Sequence, residues 1–291
     1  MRTVVVGVGN MGGALVRGLV SRGVVAASEL VLVDTDPDKA ASLGRELGCA
    51  HGVELELARG AAFVILAVKP QGMGAVLAKL APHLGDGAVL MSVAAGVTLA
   101  QLRAALAGVH GEVHLVHLIH LIRAMPNTPA LVGRGASAFA LEPAAPRSVC
   151  ELAQLALSAV GVAVEVDERH MDAVTAVSGS GPAYVFAFLE ALTAAGEAAG
   201  LPPEVASLLA RQTVIGAGHL LEARPEPASE LRRAVTSPGG TTAAALEVFG
   251  RDRALDTLVN EAVARARARG AELAAAMVSG PAVAAGEEPT R

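Results

Sequence analysis

Residues 236–242 read Thr-Ser-Pro-Gly-Gly-Thr-Thr, so hydroxyl side chains flank a Pro-Gly-Gly turn. Glycines let backbone N–H groups approach a ligand closely, because no Cβ stands in the way. The apolar run over 243–249 predicts a helix. If this helix starts at Thr241 or Thr242, its free N–H groups and its dipole favour an anion. We therefore predict a site for a small carboxylate or phosphate, with contacts from Ser237, Gly239, Gly240, Thr241 and Thr242.

The same segment has a simpler interpretation, which is a turn followed by a capped helix. In that case the Ser and Thr hydroxyls would only satisfy the helix N-terminus, and this is a common arrangement. The segment alone does not decide between a cap and an anion site, and the other motifs of the chain are needed.

A glycine-rich turn near the N-terminus predicts a second site. The β-branched run 3–6 leads into Gly7-Val8-Gly9-Asn10-Met11-Gly12, and a helical pattern follows over 13–20. This is G-x-G-x-x-G between a strand and a helix, where the second glycine lets a pyrophosphate approach the backbone. An ordinary strand–helix turn is the alternative for this motif taken alone.

An acidic residue supports the dinucleotide interpretation. The next predicted strand, 30–33, ends in Asp34, which lies 34 − 12 = 22 residues after the last glycine. An acid about 20 residues on is expected to bind a ribose 2′-hydroxyl. We therefore predict that 7–12 and Asp34 bind NAD(P)H. Because a carboxylate repels the 2′-phosphate of NADP, Asp34 favours NADH.

Three further loops are predicted to line the cofactor cleft, because ligands in parallel sheets lie beyond the carboxyl ends of the strands. The strand predicted over 63–68 ends in Ala67-Val68-Lys69-Pro70, and that over 88–93 ends in Ala94-Ala95-Gly96. In 123–129, two prolines enclose Asn127 and a threonine in a stiff loop suited to aiming an amide into the cleft. Simple loop packing is the alternative for the first two loops.

The order of elements predicts the fold class. Strands and helices alternate as far as a helix over 146–160 and a last strand over 163–166. Beyond Glu168 only helices are predicted, over 171–177, 182–200, 203–223 and 251–276. The first two are apolar nearly all round, so we expect a second chain to cover them. The prediction is an α/β fold with a Rossmann-type dinucleotide-binding domain (1–167), an all-helical substrate and dimerisation domain (168–277) and a disordered tail (278–291).

Composition excludes several classes of protein. The chain has 291 residues, which favours two domains, and its net charge of −5 without a basic cluster argues against nucleic-acid binding. No apolar run reaches the roughly 18 residues that a membrane helix needs. The N-terminus runs straight into a strand, which predicts no signal peptide. Cys49 and Cys150 are expected to be reduced thiols of a cytoplasmic protein, and a small-molecule enzyme is the default class.

A histidine recurs at every third residue in His114, His117 and His120. Metal binding is one interpretation of this run. In a strand, however, His117 would face away from the other two, and no nearby carboxylate or cysteine completes a ligand set. We therefore predict a structural role and no metal.

Seven blocks of sequence together resemble the pyrroline-5-carboxylate reductase family. They are GVGNMG (7–12), AVKPQ (67–71), AAG (94–96), RAMPNTPALVG (123–133), DAVTAVSGSGPAYVF (172–186), GLPPEVASLLARQT (200–213) and VTSPGGTT (235–242). The resemblance spans Arg2 to about Leu273. It implies an NAD(P)H-dependent enzyme that makes proline, built from a dinucleotide-binding domain and a helical domain that interlocks two subunits, often assembled further into rings.

The resemblance also implies roles for the residues of the predicted anion site. The substrate carboxylate would contact Ser237, Gly240 and Thr241, and the Thr242 hydroxyl would lie near the ring nitrogen, so Ser237 and Thr242 are the expected catalytic residues. Two features depart from the family pattern. The histidine run is longer than usual, and Asp34 replaces the neutral or basic residue of many members, which sets NADH against the usual NADPH.

The chemistry expected of such an enzyme is simple. A cyclic imine needs a hydride on carbon and a proton on nitrogen, and a protonated imine is already electrophilic, so the protein has to hold the carboxylate and aim the ring. The β-hydroxyacid dehydrogenases share the layout but use a lysine of the second domain, and no lysine follows Lys79 here. A catalytically silent dinucleotide-binding regulator would show a degraded Ser-Pro-Gly-Gly-Thr-Thr segment, which is intact.

Overall fold

The computed structural model describes residues 1–108 and 119–278. The chain divides into two compact units. The first comprises Met1–Gly179 together with the described residues from Ala266 onward, and the second comprises Ser180–Arg265.

The first unit contains an eight-stranded sheet. Its strands are β1 (Thr3–Val6), β2 (Leu30–Val33), β3 (Ala50–Gly52), β4 (Phe63–Leu66), β5 (Val89–Ser92), β6 (His120–Met125), β7 (Gly135–Leu141) and β8 (Gly161–Glu165). Their order across the sheet is β3-β2-β1-β4-β5-β6-β7-β8. Neighbouring strands are parallel except for β6 and β7, which are antiparallel.

Helices cover both faces of this sheet. They are α1 (Asn10–Ser21), α2 (Pro37–Leu47), α3 (Met73–Leu80), α4 (Leu99–Ala107), α5 (Arg147–Ser158) and the short α6 (Met171–Val174), which continues into a π-helical turn (Thr175–Gly179). Alternate residues of a strand point to opposite faces. Val5 and Ile65 accordingly join one buried cluster with side chains of α1 and α5, while Val4 and Val64 join another with side chains of α3 and α4.

The second unit is entirely helical in its described secondary structure. It contains α7 (Gly181–Ala198), α8 (Pro203–Ala223), α9 (Ala228–Ala234), α10 (Thr241–Gly250) and the first part of α11 (Ala254–Val278). Helices α7 and α8 pack closely, since a Cβ added at Gly196 would lie 3.2 Å from the Cβ of Ala206. Many large apolar side chains of this unit remain exposed, including Phe186 (60%) and Leu208 (67%).

The predicted fold class is confirmed, and the predicted strands at 3–6 and 30–33 are found with those bounds. Strands β3 and β7 and helix α9 were not predicted from the sequence. Strand β3 has only three residues, Ala-His-Gly, and β7 is rich in small residues of weak β-propensity, so neither shows a strand pattern. Strand β7 is nevertheless largely buried, because it lies between β6 and β8.

The histidine run lies mostly outside the described residues, which exclude 109–118 and therefore His114 and His117. His120 begins β6, where it pairs with Val89. The loop predicted over 123–129 needs correction at its start, since β6 continues to Met125. The predicted tail needs one correction as well. Helix α11 extends to Val278, and 279–291 lie outside the described residues.

Candidate active site

The glycine turn between β1 and α1 has the geometry of a dinucleotide site. Gly7 has a φ of +90°, and a Cβ there would lie 2.6 Å from the Ala67 carbonyl oxygen, so only glycine fits. A Cβ at Gly9 would meet no atom within 4 Å, which leaves open space beside this backbone. Gly9 is also the N-cap of α1 and supplies no side-chain cap, so the first N–H groups of the helix face a space that suits a pyrophosphate.

Asp34 follows β2 and binds the glycine turn directly. Its Oδ2 accepts a hydrogen bond from the Val8 N–H (2.8 Å), and its Oδ1 accepts one from the Asp36 N–H (2.9 Å). The carboxylate is half-buried. Two backbone donors on different segments hold it in one orientation beside the turn.

Two cations near this turn are already ion-paired. Lys39 Nζ lies 3.1 Å from Asp36 Oδ2, and this hydrogen bond lowers the pKa of Asp36 and raises the pKa of Lys39. Arg17 binds Glu46 through two hydrogen bonds of 2.7 Å, which lower the pKa of that carboxyl. Asp36 is also the N-cap of α2, as predicted, and accepts hydrogen bonds from the Asp38 and Lys39 N–H groups.

The loops after β4 and β5 lie at the same edge of the sheet as the glycine turn, because these strands are parallel to β1. The Ala67 N–H donates to the Val6 carbonyl (2.8 Å), while Lys69 is exposed and precedes a 3₁₀ turn that starts at Pro70. After β5, Ala95 is exposed, and Ala94 and Gly96 are buried. The predicted positions of 67–70 and 94–96 around one cleft are therefore compatible with the sheet topology.

Asn127 follows β6, and its side chain joins two other segments of the described chain through hydrogen bonds. Its Nδ2 donates to the Ser178 carbonyl (2.9 Å), and its Oδ1 accepts from the Ala136 N–H (2.8 Å). The side chain is only 8% exposed. These bonds join the loop to β7 and to the π-helical turn, so the amide that the sequence suggested for the cofactor is directed toward the protein.

An ion-pair network near this loop was not anticipated. Arg123 of β6 is 5% exposed, and its guanidinium lies 3.3 Å from both Glu168 Oε1 and Asp172 Oδ1. A buried arginine requires such partners, because an unpaired charge in the interior is strongly unfavourable. The signal in the sequence was an arginine within the otherwise apolar strand Leu-Ile-Arg-Ala-Met, which calls for carboxylates nearby.

The loop before α10 brings together the residues of the predicted anion site. The Gly240 N–H donates to the Ser237 carbonyl (3.0 Å), and Gly239 has a φ of +69°, so the loop turns sharply at Pro238 and Gly239. A Cβ at Gly240 would lie 2.5 Å from Ser237 Oγ, which shows how closely this hydroxyl approaches the start of the helix. Helix α10 begins at Thr241, as one of the two predicted starts requires.

The hydroxyl groups of this loop do not cap the helix. The N-cap of α10 is Gly240, and no side chain makes the capping hydrogen bond. Within the described chain, Thr236 Oγ1 bonds back to the Arg232 carbonyl (2.6 Å), whereas Ser237, Thr241 and Thr242 show no such bond. Ser237 and Thr241 are exposed, and Thr242 is half-buried. The capping interpretation predicted bonds that are not found, so the free N–H groups and hydroxyls favour the anion site.

Metal-ligand clusters and membrane-spanning helices are both absent from the described residues. These residues contain no group of three or more His, Cys, Asp and Glu side chains arranged to hold a metal ion. Among the described helices, none is both long enough and apolar enough to cross a membrane.

Comparison with known proteins identifies the two parts of the chain. Residues 168–273 match the family model for pyrroline-5-carboxylate reductase dimerisation, and residues 2–96 match that for coenzyme F420-dependent NADP oxidoreductase. The pyrroline-5-carboxylate reductase of Pseudomonas aeruginosa is 43% identical over 276 residues, which are 94% of this chain and 97% of the relative.

Solved structures show the same similarity. A pyrroline-5-carboxylate reductase from Coxiella burnetii superposes with a TM-score of 0.85 at 33% identity, covering 94% of this chain and 98% of the other. Pyrroline carboxylate reductase from Plasmodium falciparum, with NADP bound, superposes with a TM-score of 0.77 at 28% identity over 94% of this chain and 98% of the other.

Proposed function

The chain belongs to the pyrroline-5-carboxylate reductase family, and we propose that it transfers a hydride from NAD(P)H to the cyclic imine 1-pyrroline-5-carboxylate, giving L-proline. It is an oxidoreductase that acts on a C=N bond. The observation that carries the proposal within this chain is the Ser237–Thr242 loop, where free hydroxyls and helix N–H groups stand together without capping the helix. That arrangement suits the carboxylate of 1-pyrroline-5-carboxylate, which an unsubstituted cyclic imine lacks.

The residues of the first unit fit the cofactor. The open space beside Gly9 admits a pyrophosphate, and the anchored Asp34 carboxylate adjoins the turn that would hold it. Bound NAD(P)H supplies the hydride from C4 of its nicotinamide. We assign 7–12, Asp34, 67–70 and 94–96 to cofactor binding. We also assign Asn127 to the cofactor site. Because its amide bonds to the protein, we propose that it acts by holding the loop after β6 in place.

The residues of the second unit bind and orient the substrate. We propose that the Thr241 N–H and the Ser237 hydroxyl bind the carboxylate at this helix N-terminus, and that Gly240, whose own N–H donates to the Ser237 carbonyl, leaves room for it. The Thr242 hydroxyl is proposed to donate to or accept from the ring nitrogen as that atom gains its proton. Positioning is then the main contribution of the protein, because a protonated imine needs no further activation.

An activity assay tests this proposal. Purified protein is expected to oxidise NADH or NADPH only when 1-pyrroline-5-carboxylate is present, with proline formed in equal amount. The loss of absorbance of the reduced nicotinamide measures cofactor oxidation, and amino-acid analysis measures the proline formed. Absence of turnover with both cofactors between pH 6 and 9 would contradict the proposal.

We further propose that NADH is used at least as well as NADPH. The Asp34 carboxylate is fixed by two backbone donors and cannot easily turn away from a 2′-phosphate. Of the cations that could offset this charge, which are Lys39, Arg17 and Arg22, the first two are paired with Asp36 and Glu46. The NADP bound in the Plasmodium falciparum relative belongs to that protein, and this chain carries an acid after β2.

The ratio of kcat/KM for the two cofactors measures this preference. Asp34→Ser is expected to raise the NADPH-to-NADH ratio by about tenfold or more, because it removes a like-charge contact worth ~1.4 kcal/mol or more. Asp86→Ser is a matched control, since Asp86 is an exposed acid that precedes β5, at the opposite end of the parallel strands from the glycine turn, and its loss should leave the ratio unchanged. A native enzyme that favours NADPH more than about tenfold would show that Asp34 does not face the 2′ position.

Assembly and location complete the proposal. Since 168–273 match a dimerisation family, the chain forms oligomers, and we propose a homodimer that assembles into a larger ring in the cytoplasm, with no nucleic-acid or membrane partner. We also keep 1–167 and 168–277 as the functional domains, because the dimerisation region starts at their boundary. Light scattering tests the assembly, and cell fractionation tests the location. A stable folded monomer at micromolar concentration would contradict the dimer.

A further inference from the structure

The first turn of α4 is held by two residues from distant parts of the chain. Glu168 Oε1 accepts a hydrogen bond from the Leu99 N–H (2.7 Å), and Gln101 Nε2 donates one to the Ala274 carbonyl (2.9 Å). In sequence, Glu168 precedes the second unit and Ala274 follows it, although both belong to the first unit. The two segments that flank the helical unit therefore meet on one helical turn.

The Gln101 side chain bonds within the first turn of α4 and also to α11. Its Oε1 accepts from the Thr98 N–H (2.8 Å), while Thr98 Oγ1 accepts from the Gln101 N–H (3.1 Å), which together form a capping box. One amide group therefore completes the cap with its oxygen and reaches Ala274 with its nitrogen. This second bond is beyond what a cap requires.

The same turn continues the loop 94–96. Gly96 has a φ of +79° and is buried against α11, where a Cβ would lie 3.7 Å from the Ala274 nitrogen and 3.9 Å from the Gly270 carbonyl oxygen. The loop is thus fixed on one side by α11 and on the other by the start of α4. Ala95 is the exposed residue of this loop.

We propose that Gln101 and Glu168 are positioning residues for hydride transfer, which hold the loop 94–96 at the distance that the nicotinamide requires. The proposal rests on the assignment of this loop to the cofactor. Neither side chain touches the reacting atoms. Each sets the position of α4, and Glu168 is itself oriented by the buried guanidinium of Arg123.

Small displacements of such a loop affect the chemical step strongly, since a shift of about 1 Å can lower a rate by about 100-fold. A positioning role therefore predicts a loss in kcat with little change in the affinity for the substrate. It also predicts that hydride transfer becomes slower relative to the other steps. A purely structural role predicts less folded protein with unchanged turnover in the folded fraction.

Gln101→Glu separates the two bonds of Gln101. A glutamate keeps an oxygen for the Thr98 N–H but has no donor for the Ala274 carbonyl. We expect kcat to fall about tenfold, the KM for pyrroline-5-carboxylate to change less than about twofold, and the isotope effect from NADH deuterated at C4 to rise. Active sites are counted by NADH titration, so unfolded protein does not enter kcat.

Gln154→Ala is the matched control. The Gln154 amide on α5 also donates to a backbone carbonyl of another element, Ala163 (3.0 Å), on an exposed surface away from 94–96. This variant is expected to keep the native kcat and isotope effect. It shows whether losing any bond of this type has the same result.

Variants at position 168 test the second anchor and remain available if Gln101→Glu does not fold. Glu168→Ala removes the acceptor of the Leu99 N–H, and we expect about a tenfold loss of kcat. Glu168→Gln keeps an acceptor oxygen for that bond and is expected to recover at least half of the logarithmic loss.

Two outcomes overturn the proposal. Gln101→Glu and Glu168→Ala with native kcat and a native isotope effect overturn it, and so does the same loss in Gln154→Ala. Failure of the cofactor assignment is recognised separately with Ala95→Asp, which changes the loop itself. If Ala95→Asp lowers turnover while the Gln101 and Glu168 variants do not, only the positioning proposal fails. If none of these variants changes turnover, the assignment of the loop 94–96 to the cofactor fails as well.

Discussion

The two units of this protein obtain their stability in different ways. In the first unit, strands β1, β2, β4 and β5 are buried along their whole length, and side chains such as Leu66 and Phe139 are fully inaccessible. In the second unit, Ala206 and Ala210 are the only buried residues in 180–265, all of which are described. The first unit contains its own core, whereas the second exposes the apolar surface that a core would use.

This difference shows where a second chain is needed. Exposed apolar residues occur on α7, α8, α10 and α11, including Phe186, Leu208, Phe249 and Leu258. Extensive exposed apolar surface is typical of an interface, and the dimerisation family matches this region. We therefore expect association to cover the helical unit, and we expect the position of its Ser237–Thr242 loop to depend on that association.

Phe186→Asp tests this dependence and should have the largest effect. The side chain is 60% exposed in the single chain, and an uncompensated charge in a dimer interface costs several kcal/mol. We expect dissociation to monomers by light scattering and loss of reductase activity by more than about 100-fold. NADH binding, measured by fluorescence, should persist, because the glycine turn lies in the first unit.

Leu155→Asp is the control for that experiment. Leu155 of α5 in the first unit is similarly exposed, at 54%, and the same charge there should leave the dimer intact. If both variants dissociate, or if neither does, the contrast between the two units is wrong.

Leu66→Ala tests the self-contained core of the first unit. Leu66 is fully buried, and truncation of such a leucine lowers the free energy of unfolding by about 2–5 kcal/mol. Hydrogen exchange of β4, followed by mass spectrometry, should show this loss equally at low and high protein concentration. Leu208→Ala, a change of the same type on the exposed face of α8, should instead raise the dissociation constant of the dimer. A concentration-dependent effect of Leu66→Ala would contradict the comparison.

Thr242→Ala should separate chemistry from stability within the second unit. Because its hydroxyl makes no hydrogen bond within the described chain, the unfolding temperature should stay unchanged. We expect kcat/KM for pyrroline-5-carboxylate to fall about 10- to 100-fold, as for one or two lost hydrogen bonds, with NADH affinity retained. Thr213→Ala is the control, since within the described chain the Thr213 hydroxyl bonds back to the Leu209 carbonyl of its own helix (2.8 Å). Loss of cofactor binding in Thr242→Ala would restore the capping interpretation.

The smallest effect concerns a surface thiol of the first unit. Cys150 Sγ donates to Glu165 Oε2 (3.1 Å), and this bond raises the pKa of the thiol. A raised pKa leaves less thiolate at pH 8, so Cys150 should react slowly with iodoacetamide. Glu165→Gln removes the charge, lowers the pKa toward its usual value, and should increase the alkylation rate about two- to fivefold by mass spectrometry. Cys49, whose pKa is raised by burial, should stay slow in both proteins, and an unchanged rate at Cys150 would contradict this account.

The sequence predicted the parts of the molecule that local patterns determine. Segment 7–12, the Asp36 cap of α2 and the start of α10 at Thr241 follow from residue types within one turn. The reversed strand β7 could not be predicted, because its burial comes from neighbouring strands and its own composition resembles a loop.

The candidate site shows the same limit. The loop residues were recognisable from their glycines and hydroxyls, whereas the direction of the Asn127 amide depends on a carbonyl 51 residues away. The Glu168 bond to the Leu99 N–H spans 69 residues and leaves no local pattern. Contacts between segments that are far apart in the sequence therefore cannot be predicted from local patterns and are known only from the structure.

The bond between Gln101 and Ala274 also has a consequence for synthesis of the protein. Its two residues are 173 positions apart, so the first turn of α4 has its final partner only when nearly the whole chain has been made. At about 5–20 residues per second, this interval corresponds to ~9–35 s on the ribosome. A nascent chain can close its glycine turn before Gln101 meets Ala274, and under the positioning proposal chains that end before Ala274 are expected to lack reductase activity.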